Sequence, residues 1–352
     1  MKKIIFVIRD ITERGGIPNV VSKVTSFLSE NEHYEVHIIS LFKIDSNVAY
    51  QIDERIFIHY LFNGNLNYRK NFFKIKHKFK KVVKEIQPTT IIISGIGYFT
   101  LFFKKKNIHW LAWEHSCFGD WKIGGCSWFG YKFLNFFDEL IVLTNSNKNK
   151  YLKKVKCHIT AIPNPIDIGS FESKYDINSK KIISIGEFIP RKNFKIIPKI
   201  GIDIFSEYPD WTWHIYGNGK ELDEITQIIK EQELQSNVII EGYTKDVYSV
   251  LRNGAFFVST ALSEAFGMVL IEAQLCKLPI IALQADGPEE IISPNINGII
   301  IPKGSDKELI VAIKKMISDE NQRNQMSKKT MINFNKYSKE YILNKWRNLI
   351  DE

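Results

Sequence analysis

Two glutamates, Glu264 and Glu272, lie eight residues apart in the mostly apolar stretch SEAFGMVLIEA (263–273). A buried carboxylate lowers stability unless it has a partner, so these two are candidates for ligand binding. The stretch follows a predicted strand, and a helix is predicted from Met268. Glu264 then precedes the helix and Glu272 lies about one turn inside it, so they can bind different parts of one ligand, such as a sugar and a ribose. Two unrelated surface glutamates are the alternative. Amide groups at the helix start can bind an anion; they belong to Phe266, Gly267 and Met268.

Cations precede another predicted helix in GEFIPRKN (186–193), where Arg191 and Lys192 follow a predicted strand. Fixed cations at a strand-to-helix turn bind phosphate, and backbone amide groups assist them. An ordinary solvated turn is the alternative. Gly217, in IYGNGKELDEI (215–225), lies in a similar strand–glycine–helix connection.

The N-terminal half contains two further candidates at the ends of predicted strands. Gly15 and Gly16 follow the first strand and precede a helix, a position where the backbone can come close to an anionic ligand. His115, in WEHSCFGDW (113–121), follows a later strand, and ligands bind at the carboxyl edge of a parallel sheet. Its imidazole could donate a hydrogen bond to a sugar or transfer a proton. A plain turn and a structural histidine are the alternatives.

Strands and helices are predicted to alternate along the chain, because short apolar runs are separated by segments of helical length. Eleven strands exceed one ordinary doubly wound sheet, so we predict two α/β domains with parallel sheets, residues 1–165 and 166–336. Prolines and a change in charge place the boundary near 162–173. The predicted strands are 2–8, 36–40, 89–95, 108–113, 139–144, 158–164, 181–186, 212–217, 238–242, 254–259 and 278–283, and the predicted helices include 18–30, 70–86, 192–208, 219–232 and 306–319.

The composition is that of a globular protein, with 352 residues, 44% of them hydrophobic and 25% charged. The first apolar run ends at Arg9 and Asp10, which is too early for a signal peptide, and no apolar run reaches the length of a transmembrane helix. The four cysteines lack metal-binding spacing, and we expect them to be free cytosolic thiols.

Positive charge is concentrated in the N-terminal half. Residues 1–165 contain 25 Lys and Arg against 13 Asp and Glu, and RKNFFKIKHKFKKVVK (69–84) contains eight of these cations and no acid. A helix here would place Phe72, Ile75, Phe79 and Val82 or Val83 on one face between lysines, the pattern of a helix lying on anionic lipid. A core helix with a solvated basic face is the main alternative. Nucleic-acid binding lacks any accompanying motif, and we expect none.

The stretch 263–273 resembles the E-x7-E motif of the retaining glycosyltransferases of family 4, which have the GT-B fold of two Rossmann-like domains facing across a cleft. The resemblance spans most of the chain. It implies that the C-terminal domain binds a nucleotide sugar, that the N-terminal domain binds the acceptor, and that the C-terminal segment 337–352 packs on the N-terminal domain. The other matching segments, in the order of the family, are IPNPID (162–167), GEFIPRKN, IYGNG, VIIEGYTKDV, LPIIAL, DGPEEII and NGIIIP.

The resemblance implies roles for individual residues at the sugar and the diphosphate. Gly16 would lie against the donor diphosphate, and Lys192 would bind it. His115 would donate a hydrogen bond to the donor sugar, and Glu264 would contact the sugar hydroxyls. The turn at residues 266–268 would lie over the sugar and the phosphate.

At the nucleotide, Glu272 would bind the ribose, and Tyr243 and Val247 would line the base pocket. One residue departs from the family pattern: Glu187 stands where the family usually has an arginine. A carboxylate would repel a diphosphate there, and the neighbouring Arg191 would have to supply the missing cation.

The implied reaction transfers a hexose or N-acetylhexosamine, with retention, from a nucleotide sugar, expected to be UDP-linked, to a hydroxyl of a lipid-linked glycan. The pathway would be synthesis of bacterial capsule, O-antigen or lipopolysaccharide, in the cytoplasm at the inner face of the cytoplasmic membrane. No Asp-x-Asp motif is present, so we expect neither a metal nor a cofactor. Cations and helix amide groups would stabilise the departing diphosphate instead.

Three other functions fit parts of the sequence. A UDP-sugar 2-epimerase has the same two domains and needs no acceptor. A non-catalytic nucleotide- or glycan-binding protein would explain Glu187. A dinucleotide-dependent oxidoreductase should have G-x-G-x-x-G after its first strand, and that motif is absent.

Overall fold

The computed structural model describes residues 1–103, 105, 107–119, 127–166, 174–332 and 334–351. Cys126 and most of the predicted boundary segment, residues 167–173, lie outside the described residues. The chain forms two compact units, one of Met1–Asp167 with Asn335–Glu352 and the other of Ile168–Phe334. Each unit has a parallel sheet with helices between its strands, so the predicted class of two Rossmann-like domains is confirmed.

In the first unit the described residues form a seven-stranded parallel sheet in the order β3-β2-β1-β4-β5-β6-β7. Residues 4–8 of the first strand are all buried, as expected for an apolar run covered on both faces. The strands are β1 (Lys2–Asp10), β2 (Tyr34–Lys43), β3 (Phe57–Asn63), β4 (Thr90–Ser94), β5 (His109–Trp113), β6 (Glu139–Val142) and β7 (His158–Ala161).

Helices between these strands and a C-terminal helix complete the first unit. The C-terminal helix buries side chains at helical spacing, among them Ile342, Trp346 and Ile350. The Trp346 ring lies 5.9 Å from the ring of Phe6 in β1 and so packs on this sheet. The helices are α1 (Gly16–Ser29), α2 (Phe72–Ile86), α3 (Ser127–Leu134), α4 (Asn145–Tyr151) and α12 (Lys339–Asp351).

The apolar face of α2 points into the protein. Ile75, Phe79 and Val83 are fully buried in the same core as Ile5 of β1. The prediction that this face lies on lipid is therefore wrong, because its side chains already cover the sheet. Phe73, on another side of the helix, is 84% exposed.

In the second unit the described residues form a six-stranded parallel sheet in the order β10-β9-β8-β11-β12-β13. The strands are β8 (Lys181–Ile185), β9 (Thr212–Tyr216), β10 (Val238–Gly242), β11 (Phe256–Ser259), β12 (Ile280–Leu283) and β13 (Gly298–Ile301). The helices are α5 (Ile196–Phe205), α6 (Leu222–Glu231), α7 (Val247–Arg252), α8 (Met268–Leu275), α9 (Asp286–Ile291), α10 (Asp306–Ser318) and α11 (Glu320–Lys328).

The sequence missed two strands, β3 and β13, which lie at sheet edges. An edge strand can be short or partly polar, so its pattern is weak: β3 contains His59 and Asn63, and β13 has only four residues. The helix predicted over 192–208 begins only at Ile196, because a 3₁₀ turn and the left-handed Asn193 (φ 55°) come before it. Within the described ranges, none of the helices has both the length and the apolar composition needed to cross a bilayer.

Candidate functional site

The strand order of the second sheet creates a point where two neighbouring loops diverge. β8 and β11 are adjacent, but β8 leads toward β9 on one side and β11 leads toward β12 on the other. Crevices at such points bind ligands in open parallel sheets. Lys192 follows β8 and Glu264 follows β11, so both lie in the loops at this point.

Lys192 and Glu264 form an ion pair between these two loops. Lys192 Nζ lies 2.5 Å from Glu264 Oε2, and the side chains are only 15% and 13% exposed. Two further hydrogen bonds join the loops: the Thr260 hydroxyl Oγ1 donates to Lys192 O at 2.8 Å, and the backbone Leu262 N donates to Arg191 O at 2.9 Å. The pair is thus held in a partly desolvated position where its charges are weakly screened.

Arg191 lies beside the same loop. Its Nη1 donates to Ser263 O at 3.3 Å, and the side chain is exposed. Glu187 is also exposed, at the end of β8. Two cations and two carboxylates therefore come from the loops at this point, and only Lys192 and Glu264 are largely buried.

The turn before α8 leaves backbone donors at the same site. Gly267 has φ 91°, which favours glycine, and α8 begins at the next residue. The first amide groups of a helix have no acceptor within the helix, so they are available to an anion. The Phe266 side chain is buried, which anchors the turn.

Gly287, which the sequence analysis did not select, packs against the backbone of this turn. Gly287 N, in α9, donates to Glu264 O at 2.8 Å. A Cβ atom at position 287 would lie 2.0 Å from Phe266 O, so only glycine allows this approach. The sequence feature that could have identified this glycine is Asp-Gly-Pro after β12, where a strand leads into a helix.

Glu272 lies on the side of α8 that neighbours α7. Cys276, one turn after Glu272, is buried, and its thiol lies 3.8 Å from Tyr248 O of α7. Asp246 caps the start of α7. Burial, as the main cause, raises the pKa of the Cys276 thiol to about 12. Glu272 and Val247, the first residue of α7, are therefore brought to one region. Tyr243 is 63% exposed at the end of β10, two strands away from β8.

The fold itself accounts for the glycine at position 217. A Cβ atom there would lie 1.8 Å from Gly186 O, and φ is 148°. The missing side chain thus lets the ends of β8 and β9 come together. Gly217 lies at the carboxyl edge of the sheet, as predicted, but the close approach of the two strand ends is enough to explain why this residue is glycine.

In the first unit, His115 follows β5 and packs on tryptophans. Its ring lies 4.5 Å from that of Trp113, which in turn lies 4.7 Å from that of Trp346 in α12. Burial lowers the pKa of His115 to about 3, so the imidazole is neutral at physiological pH. His115 Nε2 is buried and has no hydrogen-bond partner among the described residues. The sequence did not indicate this stack, which joins residues far apart in the chain.

Gly16 is the first residue of α1, at the carboxyl end of β1. A Cβ atom there would meet nothing within 4 Å. The first-unit sheet thus places Gly16 and His115 after different strands, β1 and β5.

Comparison with known proteins gives a consistent picture. Residues 167–331 match the family model described as Glycosyl transferases group 1. An uncharacterized glycosyltransferase of Haemophilus influenzae is 26% identical over 99% of this chain and 100% of its own. The poly(ribitol-phosphate) alpha-N-acetylglucosaminyltransferase of Staphylococcus aureus is 25% identical over 94% of this chain and 74% of its own. AmsD of Erwinia amylovora, an amylovoran biosynthesis glycosyltransferase, is 24% identical over 100% of both chains. These relatives along the chain are glycosyltransferases.

Solved structures share the fold over the whole chain. Sucrose-phosphate synthase from Thermosynechococcus elongatus superposes with a TM-score of 0.86 at 17% identity and covers 100% of this chain and 98% of its own. Anabaena HepE in complex with UDP and glucose gives a TM-score of 0.82 at 15% identity over 100% of both chains. The chain thus has the GT-B fold.

Proposed function

We propose that this protein is a retaining, metal-independent glycosyltransferase that moves a hexose or N-acetylhexosamine from a UDP-sugar to a hydroxyl of a lipid-linked glycan. The observation that carries the proposal is the Lys192–Glu264 pair beside the start of α8, at the point where the loops after β8 and β11 diverge. This arrangement offers a cation, the amide groups at the start of a helix and a sugar-binding carboxylate together. The match of residues 167–331 to Glycosyl transferases group 1 supports it.

In the proposed reaction the bond between the anomeric carbon and the diphosphate oxygen breaks, and the acceptor oxygen bonds to the same face of that carbon. The acceptor proton passes to the departing phosphate. Negative charge grows on the diphosphate, and Lys192, Arg191 and the first amide groups of α8 stabilise it. Arg191 would also offset the repulsion by Glu187. These charges do the work that a metal ion does elsewhere.

Glu264 has two proposed tasks. Before the donor binds, it holds Lys192 in place through their ion pair. With the donor bound, it accepts hydrogen bonds from hydroxyls of the transferred sugar. His115, kept neutral by burial, is proposed to donate a hydrogen bond to that sugar and not to act as an acid.

Glu272→Ala is expected to weaken UDP binding by about tenfold to a hundredfold, because a carboxylate that accepts ribose hydrogen bonds is lost. Isothermal calorimetry with UDP measures the effect. Glu231→Ala removes an exposed glutamate from α6 and serves as the matched control. Equal UDP affinity in both variants would remove the ribose assignment.

Gly16→Ala is expected to leave the melting temperature unchanged, because the added methyl group has open space around it. If Gly16 lies against the donor diphosphate, the same methyl group should lower turnover by about tenfold or more, since it occupies space needed by the ligand. Unchanged turnover would take Gly16 out of the site. Thermal unfolding and a donor-turnover assay on the same preparation separate the two effects.

The proposed donor and acceptor classes are based on the names and ligands of similar proteins. HepE was solved with UDP and glucose, and the S. aureus relative is named for N-acetylglucosaminyl transfer to poly(ribitol-phosphate). AmsD is named for amylovoran biosynthesis. These names support UDP-sugars as donors and a bacterial surface polysaccharide, such as capsule, O-antigen or lipopolysaccharide, as the product. We further propose that the enzyme works peripherally at the inner face of the cytoplasmic membrane.

A UDP-release assay across a panel of nucleotide sugars, with and without lipid-linked acceptor extract, tests the function. Release that needs both one donor and the extract is the expected result, and NMR of the product should show the anomeric configuration of the donor. Activity should persist in EDTA. Loss of donor without UDP release would instead identify an epimerase, and stabilisation by UDP without turnover would identify a binding protein.

A further inference from the structure

Three segments of the first unit carry lysines without any acid. Residues 69–84 contain eight Lys and Arg, FFKKKN (102–107) contains three lysines, and NKNKYLKKVK (147–156) contains five. The segments are separated in sequence by strands and loops, so their spatial relation depends on the fold.

The structure joins the described parts of these segments into one surface. Lys76 Nζ, in α2, donates to Phe102 O at 3.1 Å, and the Phe102 ring stacks on that of Phe136 just after α3 at 6.0 Å. Lys156 N donates to Asn135 Oδ1 at 2.6 Å, which brings the segment after α4 to the same place. We define the basic layer as the outer surface formed by α2, residues 102–103, residues 131–136 and α4 with the segment 152–156 that follows it.

Five exposed lysines of the basic layer keep their charge available. Within the described ranges, no ion pair forms at the exposed lysines Lys74, Lys81, Lys153, Lys154 and Lys156. In the second unit, by contrast, acids pair with exposed lysines; examples are Lys180 with Asp210 and Lys199 with Asp306.

Within the described residues, α2 contains one exposed acid, Glu85. Two further acids, which lie between α3 and α4 in the chain, are engaged by other groups. Asp138 Oδ2 accepts a hydrogen bond from Trp110 N at 2.7 Å, and Glu139 Oε1 lies 3.0 Å from His158 Nδ1. The basic layer therefore presents an excess of positive charge, which an external anion can neutralise.

Apolar side chains stand exposed among these lysines. Phe73, Phe136 and Leu152 are 84%, 59% and 54% exposed. The buried face of α2 plays no part here. Lysines around exposed aromatic and aliphatic groups suit the headgroup region of an anionic bilayer, where charges meet lipid phosphates and apolar groups enter the acyl boundary. Phosphates of a nucleic acid would use the lysines but would leave Leu152 without a partner.

We propose that the basic layer docks this protein on an anionic lipid bilayer, with Phe136 and Leu152 inserted and the lysines on the headgroups. This surface differs from the stripe of α2 that the sequence suggested. The inference does not rest on the proposed transferase activity, since docking needs neither donor nor acceptor.

Sedimentation of the full chain with phosphatidylcholine vesicles, with or without phosphatidylglycerol, tests the proposal. We expect binding only with phosphatidylglycerol, and weaker binding as salt rises. Changing Lys81, Lys153 and Lys154 together to Glu should lower the partition coefficient by about a hundredfold or more. The matched control changes Lys220, Lys230 and Lys307 of the second unit to Glu and should bind like the parent protein.

Phe136→Ser separates a bilayer from a soluble polyanion. It should lower vesicle binding by about tenfold, because an inserted aromatic group is lost, while the charge is unchanged. Thermal unfolding confirms that the variants fold. Three results would each overturn the proposal. The first is binding that does not depend on phosphatidylglycerol, and the second is an equal loss of binding in the control triple variant. The third is unchanged vesicle binding by Phe136→Ser together with displacement of vesicles by homopolymeric RNA.

Discussion

Lys192→Met should lower glycosyl transfer by about a hundredfold to a thousandfold while the protein stays folded. Removing one preorganised donor from a site of developing negative charge typically has an effect of this size. Here the loss is compounded, because Glu264 keeps a largely buried carboxylate without its cation, next to the proposed diphosphate. The turnover number from the UDP-release assay measures the effect, and calorimetry measures the accompanying loss of UDP affinity.

Lys199→Met is the matched control, since it removes the same charge from an exposed lysine of α5 that pairs with Asp306. It should keep full turnover. The double variant Lys192→Met with Glu264→Gln should lose less UDP affinity than the two single effects combined predict, because the unpaired carboxylate is also removed. Full turnover by Lys192→Met would refute the proposed role of this lysine.

Gly287→Ala should both destabilise the second unit and remove UDP binding. Its methyl group would lie 2.0 Å from Phe266 O, a backbone atom that cannot move aside without shifting the turn before α8. Overpacking of this kind costs about 3 kcal/mol. We therefore expect a melting temperature several degrees lower, with little further stabilisation by UDP; thermal unfolding with and without UDP measures both.

Gly304→Ala is the control for Gly287→Ala, because it introduces backbone strain without displacing the turn before α8. Gly304 has φ 80°, and a Cβ atom at this position would meet nothing within 4 Å. Alanine there therefore meets only the left-handed backbone penalty of about 1–2 kcal/mol. That variant should still be stabilised by UDP as the parent is. If Gly287→Ala were stabilised equally, the turn would not be part of the nucleotide site.

Much of the architecture follows from local pattern. Runs such as residues 4–8 are apolar on both faces, and only a covered parallel strand buries such a run completely. Loops that follow parallel strands gather at one edge of the sheet, so loop residues such as Lys192 and Glu264 could be chosen as candidates before any distance was known. The edge strands β3 and β13 were not predicted, because a strand at a sheet edge needs fewer apolar residues and therefore has a weaker sequence pattern.

The amphipathic pattern of a helix does not by itself show whether its apolar face is covered by the protein core or by lipid. The stripe of α2 that includes Ile75 and Phe79 fits a bilayer and a protein core equally well, and only the packing on the sheet shows that it lies in the core. The exposed groups, Phe136 and Leu152, lie in segments whose own pattern gave no such signal.

Local pattern predicted eleven of the thirteen strands of the described residues, in their order, and the loops that could bind an anionic ligand, because both depend on neighbours along the chain. The folded structure was needed to show which residues meet: Lys192 with Glu264, Gly287 with Phe266, and His115 with Trp113 and, through it, Trp346. These contacts join segments that are distant in the chain, so they depend on strand order and helix packing, which no local pattern encodes.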